Sequence, residues 1–252
     1  MNGRMFGRTR AVGSLALALV RVPAWLCYRP KSSRARHHEK AFFQTIVNGF
    51  GIQIEQSGIP LNSPGTLYIM NHISWADIPV MMTTLDADFV AKSDILRWPG
   101  IGALARRFDP VFVARDRRGQ SRDQASMIRA RLSAGHSVIL CPEGTTSIGS
   151  TILPFRTTLF AAADAAGAIQ PVVLRYLDAN GGTLSPERMR EVAWIGDDEL
   201  LPSAMRFASN TVQANISFLP PVLVHPGGRK QMAQSVREQM LATYAAAPNL
   251  PR

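Results

Sequence analysis

Near the start of the chain, apolar positions recur at a helical interval. Val12, Leu15, Leu19, Val22 and Leu26 fall on one side of a wheel drawn over residues 11–28, and Arg10, Ser14 and Arg21 fall on the other. This predicts an amphipathic helix, kinked at Pro23. A second short amphipathic helix is expected from about residue 41, turning at Gly49 and Gly51 into a strand over 52–55. Beyond it, short β-rich runs alternate with helical stretches. Strands are expected at 66–70, 89–91, 111–113, 137–140, 170–174, 192–195 and 212–218, and helices at 78–85, 99–107, 121–133, 158–166 and 229–245. Such alternation predicts an α/β layered fold, in which ligands sit at the carboxyl ends of the strands.

Length and charge refine this picture. The chain has 252 residues, 46% of them hydrophobic, enough for one sizeable core, and it holds no internal repeat or low-complexity tract. Its formal charge of +10 is concentrated at the beginning: residues 1–40 carry nine Lys or Arg against the single acid Glu39, and the rest is close to neutral. A basic arm seeks a polyanion, either nucleic acid or an anionic membrane. The apolar face of the arm favours the membrane, so no nucleic-acid partner is expected.

The 18 residues between Arg10 and Arg29 reach about 27 Å, barely the hydrocarbon thickness. Arg21 within a span would cost about 2.5–3.5 kcal/mol. An interfacial or partly inserted helix is therefore preferred to a spanning one. Basic residues flank both ends, so charge gives no orientation, and "VRVPAWLCYR" offers no small-x-small site for signal cleavage. The expected division is a helical membrane-associated segment over 1–50 and a second unit over 51–252. Cys27 and Cys141 suggest neither a disulfide framework nor a metal site.

Three motifs fall at expected strand ends. In "NHISWAD", His72 leaves the strand over 66–70 and Asp77 stands at a helix start, with Ser74 or Asp77 as cap and Pro79 in the first turn. A carboxylate returned to an imidazole fixes its tautomer and leaves the second nitrogen free as a general base. The same residues would equally serve as an ordinary strand-to-helix turn. In "CPEGTTSIG", Pro142 ends a buried strand, and Gly144 allows close backbone approach to a ligand. Cys141 reads as a small buried residue closing that strand, not a nucleophile. In "VFVARDRRG", Arg115 directly follows a strand and is the best placed of a dense run of arginines to bind an anion.

These three blocks, followed by "QPVVLRY", occur in the order and approximate spacing of the four blocks of the glycerolipid acyltransferases. Between residues 67 and 224 the chain resembles the bacterial 1-acyl-glycerol-3-phosphate acyltransferases and their lyso-ornithine-lipid relatives. The resemblance implies a mixed central sheet flanked by helices, and transfer of a long-chain acyl group from a thioester of acyl carrier protein or coenzyme A to the hydroxyl of a membrane lysolipid. It puts 1-acyl-glycerol-3-phosphate first as acceptor, with lyso-ornithine lipid as the alternative. His72 would be the base and Asp77 its orienter. Arg115, Glu143, Gly144 and Thr145 match acceptor-binding positions, Arg115 toward a phosphate, and Pro171 begins the block that shapes the site. No metal or cofactor is implied, and no acyl-enzyme is needed. The expected location is the cytoplasmic face of the inner membrane. Ile148, and "RTTLF" after "LPF", depart from the common pattern beside the acceptor loop. A non-catalytic lipid-binding protein of the same fold is the reading from another class; it would have no need of both His72 and Asp77.

Overall fold

The computed structural model describes residues 2–98, 100–113, 120–222 and 228–246. Seven strands form one sheet in the order β1-β7-β6-β2-β5-β3-β4. They are β1 (Ile52–Ser57), β2 (Thr66–Met70), β3 (Asp88–Lys92), β4 (Val111–Val113), β5 (Val138–Leu140), β6 (Ala168–Asp178) and β7 (Val212–Phe218). Every neighbouring pair is parallel except β6 with β7, so the sheet is mixed. β2 lies near its middle and is buried along all five residues, as its uninterrupted run "TLYIM" requires.

The sheet has a core on each face. On one side Tyr68, Met70, Val172, Leu174 and Ile216 meet Phe42, Phe43, Ile46 and Val47 of α3 (Ser33–Gly49), Val80 and Met81 of α4 (Asp77–Thr84), and Phe207 of α8 (Leu200–Phe207). On the other, Leu67, Ile69, Leu140 and Val173 meet Ile128 and Leu132 of α6 (Gln120–Ser133) and Val236 and Met240 of α9 (Arg229–Ala245). The alternation along β6 sorts its side chains between these cores. The remaining helices are α1 (Asn2–Val20), α2 (Val22–Leu26), α5 (Ile101–Phe108) and α7 (Pro186–Val192).

Three expectations are corrected. The apolar run at 192–195 is not a strand: Val192 ends α7, which Ser185 caps by accepting from the Arg188 N–H, with Pro186 in the first turn. A short buried run fits a strand or the end of a helix equally well, and the Ser-Pro start signal decides for the helix. The stretch at 158–166 is a 3₁₀ helix over Leu159–Ala165, not an α-helix. The second helix begins at Ser33, eight residues before the expected start, because Ser32 caps it by accepting from the Ala35 N–H. α3 thus lays its apolar face on the sheet, and the helical segment 1–50 is built onto the domain.

The first helix breaks at Arg21, ahead of Pro23, and resumes as α2. Its inward stripe is small and polar. Gly7, Ala11 and Ala18 are buried, Gly7 lies against the Ala208 carbonyl, Ser14 touches Gly49, and Arg10 Nε donates to the Gly49 carbonyl at 2.9 Å. Most of the apolar face points away from the domain, whereas Val22 of α2 packs against the core. Phe6, Val12, Leu19 and Leu26 are each more than half exposed, and Leu15 is 37% exposed. Arg4–Leu26 is long and apolar enough to cross a bilayer by length and composition.

Asp88 ties this helical layer to the sheet. Its buried carboxylate meets Lys31 Nζ at 2.7 Å, Arg36 Nη2 at 3.0 Å and Arg131 Nη1 at 3.4 Å, from the α2–α3 link, α3 and α6. Each cation has a second acid, Asp109 for Lys31 and Arg131 and Glu39 and Asp86 for Arg36, but Asp88 is the one fully buried carboxylate that joins all three. Asp88→Asn is expected to lower the unfolding free energy by roughly 3 kcal/mol, measured by urea denaturation of the detergent-solubilised protein.

Candidate active site

The site lies where β2 ends and β6 does not. Met70, the last residue of β2, pairs with Val172, and β6 continues six residues further to Asp178. Asn71 bridges the step: its side chain accepts from Leu174 N at 2.8 Å and donates to Leu174 O at 2.9 Å. His72 follows, 17% exposed at the side chain.

Asp77 turns back to His72 from the first position of α4. Its Oδ2 lies 2.7 Å from His72 Nδ1 and accepts from the amides of Ile73 at 2.7 Å and Ser74 at 3.0 Å. Its Oδ1 accepts from the Tyr176 hydroxyl at 2.8 Å. Asp77 is fully buried. With its carboxylate meeting only donors, Nδ1 carries the imidazole hydrogen and Nε2 is left as an acceptor. The expected capping is corrected: Ala76 occupies the cap position, and Ser74 Oγ instead donates to the Val192 carbonyl at 2.8 Å. The turn thus spends the Asp77 carboxylate on the imidazole and two amides instead of on capping the helix.

Glu143 is buried behind this turn. Its Oε1 accepts from His72 N at 2.8 Å and its Oε2 from Leu153 N at 3.0 Å. Burial raises its pKa to about 7 against these two amides, which lower it. Both oxygens thus accept from backbone, and Glu143 joins the His72 turn to the chain at Leu153. Gly144 has φ +70°, and a Cβ on it would lie 2.4 Å from Arg156 Nε, so glycine is needed for the turn and for the guanidinium packed on it. Thr145 is exposed on the loop. Pro171 is buried in β6 opposite Ile69, one residue before the pair of Met70 with Val172. Arg115 lies outside the described residues. Tyr176, Arg156 and Tyr244 were not legible as site residues. The Tyr244 hydroxyl donates to the Gly149 carbonyl at 2.5 Å, and Arg175 holds the Thr243, Tyr244 and Ala246 carbonyls, so α9 steadies the far end of the loop.

A groove of about 600 Å³ runs between α3 and edge strand β1, past Gln44 and Gln53, and does not include His72. The hydrogen-bond geometry marks the site more firmly than groove volume does. Among the described residues no cluster of His, Cys, Asp or Glu could hold a metal ion.

The fold and the matched region define an acyltransferase: residues 51–175 match the protein-family model described as Acyltransferase. The chain is 33% identical over 254 residues to the lyso-ornithine lipid O-acyltransferase of Brucella abortus, covering 97% of this chain and 95% of that protein. It is 36% identical over 123 residues, 48% of each chain, to the 1-acyl-sn-glycerol-3-phosphate acyltransferase of Neisseria gonorrhoeae. The crystal structure of the 1-acyl-sn-glycerophosphate acyltransferase PlsC from Thermotoga maritima shares the fold with a TM-score of 0.65, over 99% of this chain and 97% of that one, at 16% identity. The chain belongs to the glycerolipid acyltransferase family, as a lysolipid acyltransferase.

A carboxyl group whose pKa is raised by folding adds stability below its unfolded value and loses it as pH rises through the folded one. For Glu143 that window runs from the ordinary 4.5 to about 7. Glu143→Gln lacks this ionisation, so the wild type should lose stability relative to the variant between pH 5 and pH 7.5. Urea denaturation of both proteins at the two pH values measures it, and parallel curves would contradict the assignment.

Proposed function

We propose that this enzyme acylates the free hydroxyl of lyso-ornithine lipid, using a thioester of acyl carrier protein or coenzyme A, with His72 as general base. The observation that carries the mechanism is the 2.7 Å contact between His72 Nδ1 and buried Asp77, which leaves Nε2 free on a partly exposed ring. In this reading Nε2 takes the proton from the acceptor hydroxyl as its oxygen attacks the thioester carbonyl. The carbon–sulfur bond then breaks, and the leaving thiolate recovers the proton from His72. Asp77 stabilises the imidazolium between the two steps. No covalent acyl-enzyme is required, and no metal or cofactor enters.

The acceptor is chosen on two grounds. Relatives that match along nearly the whole chain, from Brucella abortus and from Pseudomonas aeruginosa, are lyso-ornithine lipid O-acyltransferases. The loop side chains Thr145, Thr146, Ser147 and Ile148 include no cation, and among the described residues the guanidinium packed against the loop is Arg156. One guanidinium suits the single carboxylate of an ornithine headgroup. 1-Acyl-glycerol-3-phosphate is the second reading, favoured by the similarity to the Neisseria enzyme. Assay of purified protein on both lysolipids, each with both thioester donors, tests the choice. Turnover of 1-acyl-glycerol-3-phosphate alone would establish the second reading.

We also infer that α1 rests on the membrane at its cytoplasmic face. The inward stripe of Gly7, Ala11, Ser14 and Ala18 commits one side of the helix to the domain and turns Val12, Leu15 and Leu19 outward. The arginines at the helix ends add attraction to anionic lipid.

Three outcomes follow from this reading. His72→Ala should lower turnover by ~10²–10⁴-fold in a folded protein, and near-normal activity would refute the mechanism. Arg156→Ala should raise the acceptor KM about tenfold with little change in kcat, as loss of a charge-assisted contact of about 1.5 kcal/mol would. Replacing Val12, Leu15 and Leu19 with serine should release the protein from anionic liposomes at high salt, where only the apolar contribution holds it. Co-sedimentation equal to wild type would remove α1 from the membrane.

A further inference from the structure

Tyr176 lies 99 residues beyond Asp77 in the chain, and its hydroxyl is 2.8 Å from Asp77 Oδ1. A carboxylate only accepts, so the phenol donates. Asp77 is fully buried and Tyr176 is 4% exposed, which keeps water from replacing this bond. The ring is fixed as well as the hydroxyl: Phe207 meets it edge to face, with centroids 5.9 Å apart. Tyr176 shares the strand face of Val172 and Leu174, and it reaches Asp77 only because β6 outruns β2.

Asp77 must do two opposed things if His72 is the base. It has to support the imidazolium once a proton is taken, yet it must not hold that proton so tightly that the free base is lost. A donor on the second oxygen draws charge away from the first. We propose that Tyr176 is a positioning residue of the acyl transfer: its hydroxyl fixes the Asp77 carboxylate and takes up part of its charge, so that Asp77 orients the His72 ring without holding the transferred proton too tightly. This deepens the reading of His72 as base and rests on it. Tyr176 does not touch substrate, since it lies behind Asp77.

Among the described residues, the titratable groups that act on this pair include Glu143, bonded to His72 N, and Tyr244 of α9, whose hydroxyl feels both carboxylates and whose ring lies under Arg175. Burial keeps Tyr176 and Tyr244 protonated through the working range, with the pKa of Tyr244 raised to about 12. Glu143 titrates near neutrality, but it is identical in wild type and variant, so a difference between them belongs to Tyr176.

The test is Tyr176→Phe in the full-length, detergent-solubilised enzyme. Kinetics are read against pH, and the His72 imidazole is followed by NMR, its resonance assigned by its loss in His72→Ala. The expected result is a roughly tenfold fall in kcat with both KM values within about twofold, in a protein that unfolds cooperatively. The acid limb of kcat/KM and the His72 titration should both move to higher pH by roughly half to one unit. An unchanged titration, or one moved to lower pH, overturns the proposal. If the phenylalanine variant does not fold, 2,3-difluorotyrosine placed at 176 keeps the ring and strengthens the donor. It should move the titration to lower pH, and no movement overturns the proposal. The titration is read without turnover, so it stands apart from the base mechanism, which fails separately if His72→Ala remains active.

Discussion

A carboxylate without access to water has to be met by donors on both oxygens, or burying it costs more than the fold can bear. Asp77 is in that position, and the elements around it are arranged as its donors require. Ile73 and Ser74 supply amides because the chain turns sharply after β2, and Tyr176 supplies a hydroxyl because β6 runs past that turn. His72 Nδ1 completes the set. The geometry of the imidazole is thus a by-product of satisfying a buried charge. Glu143 repeats the device one layer back, accepting the His72 and Leu153 amides and thereby tying the chain at Leu153 to the same turn.

The N-terminal helices follow a different logic. A helix on the surface of a globular domain ordinarily turns its apolar face inward. α1 packs through glycine, alanine and serine, and leaves its large side chains outside. Small residues let its backbone approach α3 and the Ala208 carbonyl closely, so the attachment gives up little apolar area. The buried carboxylate of Asp88 then holds α3 and the link before it against the sheet by ion pairs. The outward face is therefore presented by a firmly seated element.

The parts of this molecule that could be read in the sequence are those set by neighbours in the chain. The His72–Asp77 pair spans five residues, and a strand-to-helix turn of that length closes on itself. The central strands could be read because each is a buried apolar run with clear ends, and β2, β4 and β7 fall where expected. Tyr176 gave no signal, because its partner lies 99 residues away in the chain and their meeting depends on the relative lengths of two strands. Glu143 could be placed at the site, but its part there could not be read: an acid in a glycine-bearing loop suggests a ligand contact, whereas both its oxygens meet backbone amides. The basic flanks of α1 pointed its apolar face outward, but the docking stripe of Gly7, Ala11 and Ala18 was hidden, because periodicity does not say which small residues a neighbouring element will approach.

The alternation along β6 carries a consequence for how this sequence can vary. Tyr176 faces the dyad, and Arg175, one residue earlier, faces α9. Side chains in a strand change sides with every residue. One residue inserted directly after the Asn71 bridge at Leu174 would set the Arg175 guanidinium at the position beside Asp77 and turn the Tyr176 phenol to the opposite face. Point substitutions can be absorbed along this strand, but changes of length cannot, so over evolutionary time insertions in this chain should be sought in its loops and not in the second half of β6.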